Sequence, residues 1–200
     1  MIHPASAFRW EDRDAMQALV TERGFGTLFA ATPDGPRVAH VPVVWFGEAT
    51  LGLHLARGNS ITRHLDGATA VFVVRGPDGY ISPDWYGLGA NQVPTWNYVA
   101  VELEGRMLRV EQDALIAQLD AISAEQETRL TPKAPWTRDK MDDALFERMM
   151  QGIVGFTLEV QAWRGTLKLG QNKPEAARLA AADGADASGG RDIAGWMRTL

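Results

Sequence analysis

Two periods of apolar residues alternate along the first half of the chain. Between Arg13 and Arg23, Met16, Leu19 and Val20 fall at helical spacing, with Asp12 placed as N-cap and Gly24 as terminator, so a lid or packing helix is expected there. The pattern then switches to period two. GTLFAAT (Gly26–Thr32), RVAHVPVVWF (Arg37–Phe46) and TLGLHLA (Thr50–Ala56) read as strands, separated by Pro-Asp-Gly-Pro and Gly-Glu-Ala turn chemistry, which gives an antiparallel meander. Asn59 or Ser60 is placed to cap a short helix through Leu65. ATAVFVVRG (Ala68–Gly76) then reads as a strand buried on both faces.

Between Gly79 and Tyr98 lies GYISPDWYGLGANQVPTWNY, too aromatic for an ordinary solvent loop and too broken by Pro83 and Pro94 for a core helix. Long ordered loops in compact domains are usually functional, so this one is expected to cover something. TWNYVAVELEGRMLRV (Thr95–Val110) alternates well enough for a long strand, with Gly105 as a bulge or bend. Helices are expected over Gln112–Arg129 and about Met141–Gln151. GFTLEVQAW (Gly155–Trp163) supplies a sixth strand, Arg164-Gly165 turns, and TLKL (Thr166–Leu169) pairs back. From Pro174 an Ala-rich helix is interrupted by ADGADASGG, the composition of a flexible connector, before a last helix near Asp192–Arg198.

Six antiparallel strands with inserted helices argue against a doubly wound parallel sheet. The expected fold is α+β, mainly β: a six-stranded antiparallel split β-barrel over residues 1–173, followed by a helical tail over 174–200. Closure into a barrel removes the exposed edges that so many hairpins would otherwise leave.

Composition narrows the function classes. A net charge of −5 and the lack of a Lys/Arg run give no general attraction to phosphate backbones, which makes direct DNA binding doubtful. Without cysteine there is no disulfide, thiolate metal site or thiol nucleophile. No apolar run reaches membrane-spanning length, and the first residues lack a signal-peptide pattern, so a cytoplasmic location with no membrane partner is expected. No Walker loop, GxGxxG turn or GxSxG elbow occurs. The four histidines, His3, His40, His54 and His64, have no metal-type spacing, so no metal site is expected. Glu125 and Glu127 diverge on their helix and read as solvated.

Two short segments carry candidate chemistry. In HLARGNS, His54–Ser60, a strand end meets a helix start and brings together a guanidinium (Arg57), an amide (Asn59) and a hydroxyl (Ser60), the donor set a phosphate needs; Gly58 would permit close backbone approach. A capped surface turn with a solvated Arg accounts for the same residues. In KLGQNK, Lys168–Lys173, two ammonium groups and two amides can donate to the carbonyls of a heteroaromatic ring, or simply form a polar strand exit.

Taken in order, FGTL (Phe25–Leu28), HVPVVW (His40–Trp45), HLARGNS, GYISPDWY (Gly79–Tyr86), VPTWNYVAVELEG (Val93–Gly105), IVGFTLEV (Ile153–Val160) and KLGQNKP (Lys168–Pro174) resemble the PaiB-type family of FMN-binding negative transcriptional regulators. The resemblance implies an FMN-binding split barrel that works as a homodimer with flavin between subunits. By similarity, Arg57, Asn59 and Ser60 would hold the FMN phosphate, while His54, Leu55 and Ala56 and the strand residues His40, Val41, Pro42 and Val43 would border the flavin. Thr95, Trp96 and Asn97 would come from the aromatic segment, and Lys168, Gln171 and Asn172 would close the site. The chain departs from the pattern at Gly58, usually alanine, at Ser60, usually proline, and at Gly170, usually serine.

Two functions compete on this basis, a flavin-binding regulator and an FMN-dependent oxidoreductase acting on an unknown small molecule. No residue declares itself catalytic, and Tyr86, His54 and Lys168 are the candidates for mutation. Haem ligation by one of the four histidines is a third possibility with no distal pocket to support it.

Overall fold

A computed structural model describes residues 3–200; the first two residues of the N-terminal stretch lie outside the described residues. The elements in chain order are β1 (Arg9–Trp10), α1 (Arg13–Arg23), β2 (Phe25–Thr32), β3 (Gly35–Trp45), β4 (Thr50–Ala56), β5 (Thr69–Ile81), β6 (Thr95–Arg109), α2 (Gln112–Thr128), α3 (Asp143–Met150), β7 (Ile153–Lys168), α4 (Glu175–Ala187) and α5 (Arg191–Arg198). The sheet has seven strands in the order β1-β7-β4-β3-β2-β5-β6, and β6 also pairs with β7. The six strands read from the sequence therefore pair in a closed cycle, and the two-residue β1 adds a seventh, antiparallel to β7. The pairings β2–β3, β2–β5, β3–β4 and β4–β7 are likewise antiparallel.

The chain forms two compact units. One contains Gln17–Val74 and Glu102–Trp163; the other contains the residues up to Met16, Arg75–Val101 and Arg164–Leu200. In the first, alternation along β2, β3, β4 and β7 sends Leu28, Val41, Val43, Leu51, Leu53, Leu55, Phe156 and Leu158 into a core from which solvent is nearly excluded. β6 runs on through Gly105. That glycine lies so close to the Glu159 carbonyl of β7 that a Cβ there would overlap it, so glycine is needed for the approach of two backbones.

In the second unit, the expected turn at Arg164-Gly165 is absent. β7 runs unbroken for 16 residues, and Gly165 pairs with Trp10 of β1, where a Cβ would sit 2.7 Å from the Trp10 carbonyl oxygen and 2.8 Å from Met16 Sδ. The segment expected to be a flexible connector is helical to Ala187, because α4 lays Ala177, Ala181, Ala182 and Ala185 into a buried seam with Ile193, Ala194 and Met197 of α5. Buried Arg178 donates to the carbonyls of Met197 and Leu200 at the C-terminal end of α5, satisfying acceptors that a helix end leaves orphaned.

The helix expected after Ser60 is a single 3-10 turn, Thr62–His64. Glu125 and Glu127 are partly exposed and engaged separately: Glu125 pairs with Arg129 at 2.8 Å, and the Glu127 carboxylate accepts from Lys133 and from the Trp136 amide. These bonds hold the Glu127 carboxyl below its ordinary range.

Candidate functional site

In the first unit the register Val44↔Gly52 places those two residues on one face, and period-two alternation then puts His40 and Pro42 of β3 and His54 and Ala56 of β4 on that same outward face. Val41, Val43 and Leu55 point the other way, into the core, so their side chains are unavailable to a ligand. The outward face continues onto β2 and β5. Thr27 pairs with His40 and Val73, and Phe29 pairs with Val38 and Val71, with a 3.1 Å hydrogen bond between Thr27 Oγ1 and His40 Nδ1. Phe25, Phe29 and Val38 are 54%, 42% and 49% exposed, an apolar surface where an antiparallel sheet facing water is normally polar.

His54 is distinctive on this face. Its Nδ1 is buried with no hydrogen-bond partner among the described residues, and burial lowers its pKa from the ordinary 6.5, which favours the neutral ring. An orphaned ring nitrogen of this kind costs stability unless something pairs with it.

Beyond Ala56 the chain turns through the donor-rich segment. Three bonds fix the turn: Asn59 N to the Ala56 carbonyl at 3.0 Å, Thr62 Oγ1 to the same carbonyl at 2.9 Å, and Ile61 N to Asn59 Oδ1 at 3.2 Å. Ile61 and Leu65 anchor it in the core. Asn59 thus caps the turn with its oxygen, which leaves its Nδ2 donors and the exposed Ser60 hydroxyl without partners among the described residues. Gly58 does not adopt a left-handed conformation, and a Cβ on it would meet nothing within 4 Å, so the alanine usual at this position would fit.

Arg57 is held by backbone. Its Nε donates to the Gln151 carbonyl at 2.8 Å, and an Nη donates to the Ile153 carbonyl at 3.1 Å. A guanidinium has five N–H groups, so two engaged donors leave three for a ligand.

The remaining sequence candidates belong to the second unit. Lys168 Nζ donates to Thr95 Oγ1 at 2.5 Å. Trp96 is 56% exposed and meets Tyr80 edge to face with ring centroids 6.3 Å apart. Asn97, expected to touch the flavin, is 1% exposed and donates from Nδ2 to Met197 Sδ at 3.4 Å, so its side chain is a core group facing α5. Gln171 is consumed by its own turn, accepting from Leu169 N at 2.8 Å and donating to the Leu167 carbonyl at 2.5 Å. Asn172 is exposed.

The turn reverses at Gly170, whose φ of 85° is left-handed, a conformation that glycine adopts without the penalty a side chain brings. Lys173 donates to Gln92 Oε1 at 2.7 Å and lies over the Tyr86 ring, 5.3 Å from its centroid. Tyr86 is 4% exposed, and burial pushes its phenol pKa up, keeping it neutral. Trp85 of the aromatic loop packs directly on Gly184 of α4, as core packing requires.

Sequence reasoning missed Arg109, which the fold brings into a cavity of about 510 Å³ with Arg57, together with Glu111 and Glu147. The residues come from the turn after β4, the end of β6, the N-cap of α2 and α3, and no local pattern connects them.

Comparison with known proteins bears on the family and the fold. Residues 1–162 match the family described as "Putative FMN-binding domain". The chain is 31% identical over 172 residues, 84% of its length and 81% of the relative's, to Protease synthase and sporulation protein PAI 2 of Bacillus subtilis. Among solved structures it is similar to the flavocytochrome Anf3 from Azotobacter vinelandii, with a TM-score of 0.59 at 13% identity, covering 83% of this chain and 72% of that one. It is also similar to the FAD and heme binding protein from Mycobacterium smegmatis, with a TM-score of 0.57 at 18% identity, covering 80% and 73%. At these identities the structural likeness establishes the fold, which is that of the flavin-binding split barrels.

Proposed function

Given that the chain belongs to the FMN-binding domain family and that FMN is the cofactor this membership assigns, we propose that it works as a cytoplasmic FMN-binding homodimer of the PaiB regulatory type. The observation that carries this proposal is the outward face of β3 and β4. There an orphaned, neutral His54 and the exposed Ala56 lead into a turn whose Arg57, Asn59 and Ser60 keep unused donors. That donor set fits a phosphate monoester, and the apolar strand surface beside it fits a large planar ring.

Arg57, Asn59 and Ser60 hold the phosphate, while His40, Pro42, His54 and Ala56 line the ring with their side chains. Val41, Val43 and Leu55 contribute backbone only. Thr95, Trp96, Lys168 and Asn172 contact flavin from the aromatic segment and the strand exit, with Gln171 fixing the turn that carries Lys168 and Asn172. Bound FMN supplies a ring that takes up a hydride or single electrons.

The exposed Phe25, Phe29 and Val38 support the homodimer, since a second copy laid on that face would remove them from water. Regulation then proceeds through a partner or through the flavin's state rather than through direct operator contact, because the net charge of −5 opposes the electrostatic part of DNA binding. Size-exclusion chromatography with light scattering, followed in the visible flavin band, tests the proposal. A dimer carrying flavin is expected, and a monomer that carries flavin equally well would remove the dimer from the account.

A second reading, an FMN-dependent oxidoreductase, is favoured by His54 alone. A ring held neutral with a free nitrogen can accept a proton or a hydrogen bond during flavin chemistry. Bleaching of bound flavin by NADH or NADPH under anaerobic conditions supports it; no bleaching by either removes these donors.

A further inference from the structure

We infer that residues 87–94 form a lid that gates the flavin at Thr95, Trp96 and Lys168, and that Lys173 is its latch. The inference rests on the FMN reading for the ligand beneath the lid.

The segment is fixed at its two ends and hardly anywhere between them, and all the residues concerned belong to the second unit. At one end the 3-10 turn Pro83–Tyr86 stops at Gly87, whose φ of 63° is left-handed and whose amide donates to the Asp84 carbonyl at 3.3 Å. Buried Tyr86 anchors that end. At the other end β6 begins at Thr95, whose hydroxyl accepts from Lys168. No backbone hydrogen bond joins residues 88–94 to anything among the described residues. Gly89, with a φ of 83°, is a second left-handed position, and a Cβ at either glycine would meet nothing within 4 Å. Backbone of this kind opens at almost no cost in free energy, the property that lids and binding loops share.

One side chain holds the segment down. Gln92 is half-buried while the rest of 87–94 is exposed, and its Oε1 accepts from Lys173 Nζ at 2.7 Å. Lys173 is itself placed by the Tyr86 ring beneath its ammonium group and by its amide, which donates to the Gly170 carbonyl at 2.9 Å. Both ties thus lead to one turn: Lys168 holds Thr95, and Lys173 holds Gln92. That turn is stiffened by Gln171, which bonds the Leu169 amide and the Leu167 carbonyl. A single charge-assisted bond on an otherwise unbonded segment has two states, made and broken, and Gly87 and Gly89 let the segment swing between them. The lid also carries Leu88 and Val93, apolar side chains left exposed, as Trp96 is. A planar ring held at Trp96 would give them the burial they lack.

The test measures association and dissociation rates of FMN by stopped-flow flavin fluorescence for the full chain, Lys173→Met and Gln92→Glu. Lys173→Met keeps the alkyl stem over Tyr86 and removes the donor. A latched lid gates entry and exit alike, so both rates are expected to rise by about 3- to 10-fold while the dissociation constant changes little. Gln92→Glu gives the ammonium group a charged partner and is expected to slow both rates several-fold at low salt, an effect that fades at high salt and that a loosened fold would not produce. A second readout needs no FMN: thermolysin is expected to cut the lid at Leu88 and Val93 faster in Lys173→Met than in the native chain. If Lys173→Met raises dissociation alone, so that affinity falls in proportion, Lys173 is an ordinary flavin contact and the inference is overturned. Unchanged rates in both variants, or equal cutting by thermolysin, overturn it too, and FMN binding would then stand without a lid. A native chain that binds no FMN overturns the FMN reading and the gating together.

Discussion

Trp85 lies flat against Gly184: a Cβ added to that glycine would fall 2.5 Å from the indole Cγ and 2.8 Å from Cδ1. The glycine sits in the interior of α4, where it costs about 1 kcal/mol of helix stability relative to alanine. Its presence there is explained by the ring that occupies the side-chain position. Gly184→Ala is therefore expected to lower the stability by about 1 kcal/mol, the overpacking cost exceeding the helix gain. In a Trp85→Ala background the same substitution becomes stabilising. Urea unfolding of the four proteins of the cycle reads the sign reversal; a more stable Gly184→Ala in the native background would contradict the contact.

Gly170 gives a second case in which the backbone favours glycine. With φ at 85°, Gly170→Ser places a residue with a Cβ in the left-handed region, at a cost of about 1 kcal/mol. We expect a lower melting temperature and no gain in FMN affinity. Tighter FMN binding by the serine variant would mean that the missing hydroxyl was a ligand contact after all.

The neutral His54 makes stability depend on pH with a definite sign. Burial lowers its folded pKa below 6.5, so the native state binds fewer protons than the unfolded chain in the interval between the two values. The contribution is present above pH 6.5 and is lost as pH falls through the folded value. Unfolding free energies measured from pH 7.5 downward should fall more steeply for the native protein than for His54→Gln. Parallel profiles would show that His54 is solvated.

Phe29 tests the apolar face. Phe29→Asp puts a charge at the centre of the outward surface of β2, between Val38 and Val71. Its side chain is already exposed, so the fold should persist while light scattering moves from dimer to monomer. A charged variant that remains dimeric would locate the interface elsewhere.

How far the sequence foretold this structure varies with the physics of each segment. The strands of the meander were legible because alternation with buried Leu, Val and Phe is a strong local signal. β1 was not, because a two-residue strand carries no period. Gly165 read as a turn because glycine marks both turns and close backbone approach, and only the tertiary position of Trp10 decides between them. The α4 segment read as a linker for the same reason, with Trp85 as the hidden partner. Asn97 was drawn into the ligand set by its motif, although it shares parity with Val99, Val101 and Leu103 on β6 and so was marked as inward-facing by alternation alone. Arg57, Asn59 and Ser60 were visible as a donor cluster, whereas the carbonyl clamp on Arg57 and the approach of Arg109 depend on contacts some ninety and fifty residues away in the chain.

The central claim is that this chain holds FMN through the turn at the end of β4. The most direct measurement is the visible absorbance of the purified protein before and after adding FMN, with the bound flavin released by denaturation and identified. The account predicts one FMN per chain, lost or much weakened in Arg57→Ala. A colourless protein whose spectrum is the sum of its own and that of free FMN would contradict it.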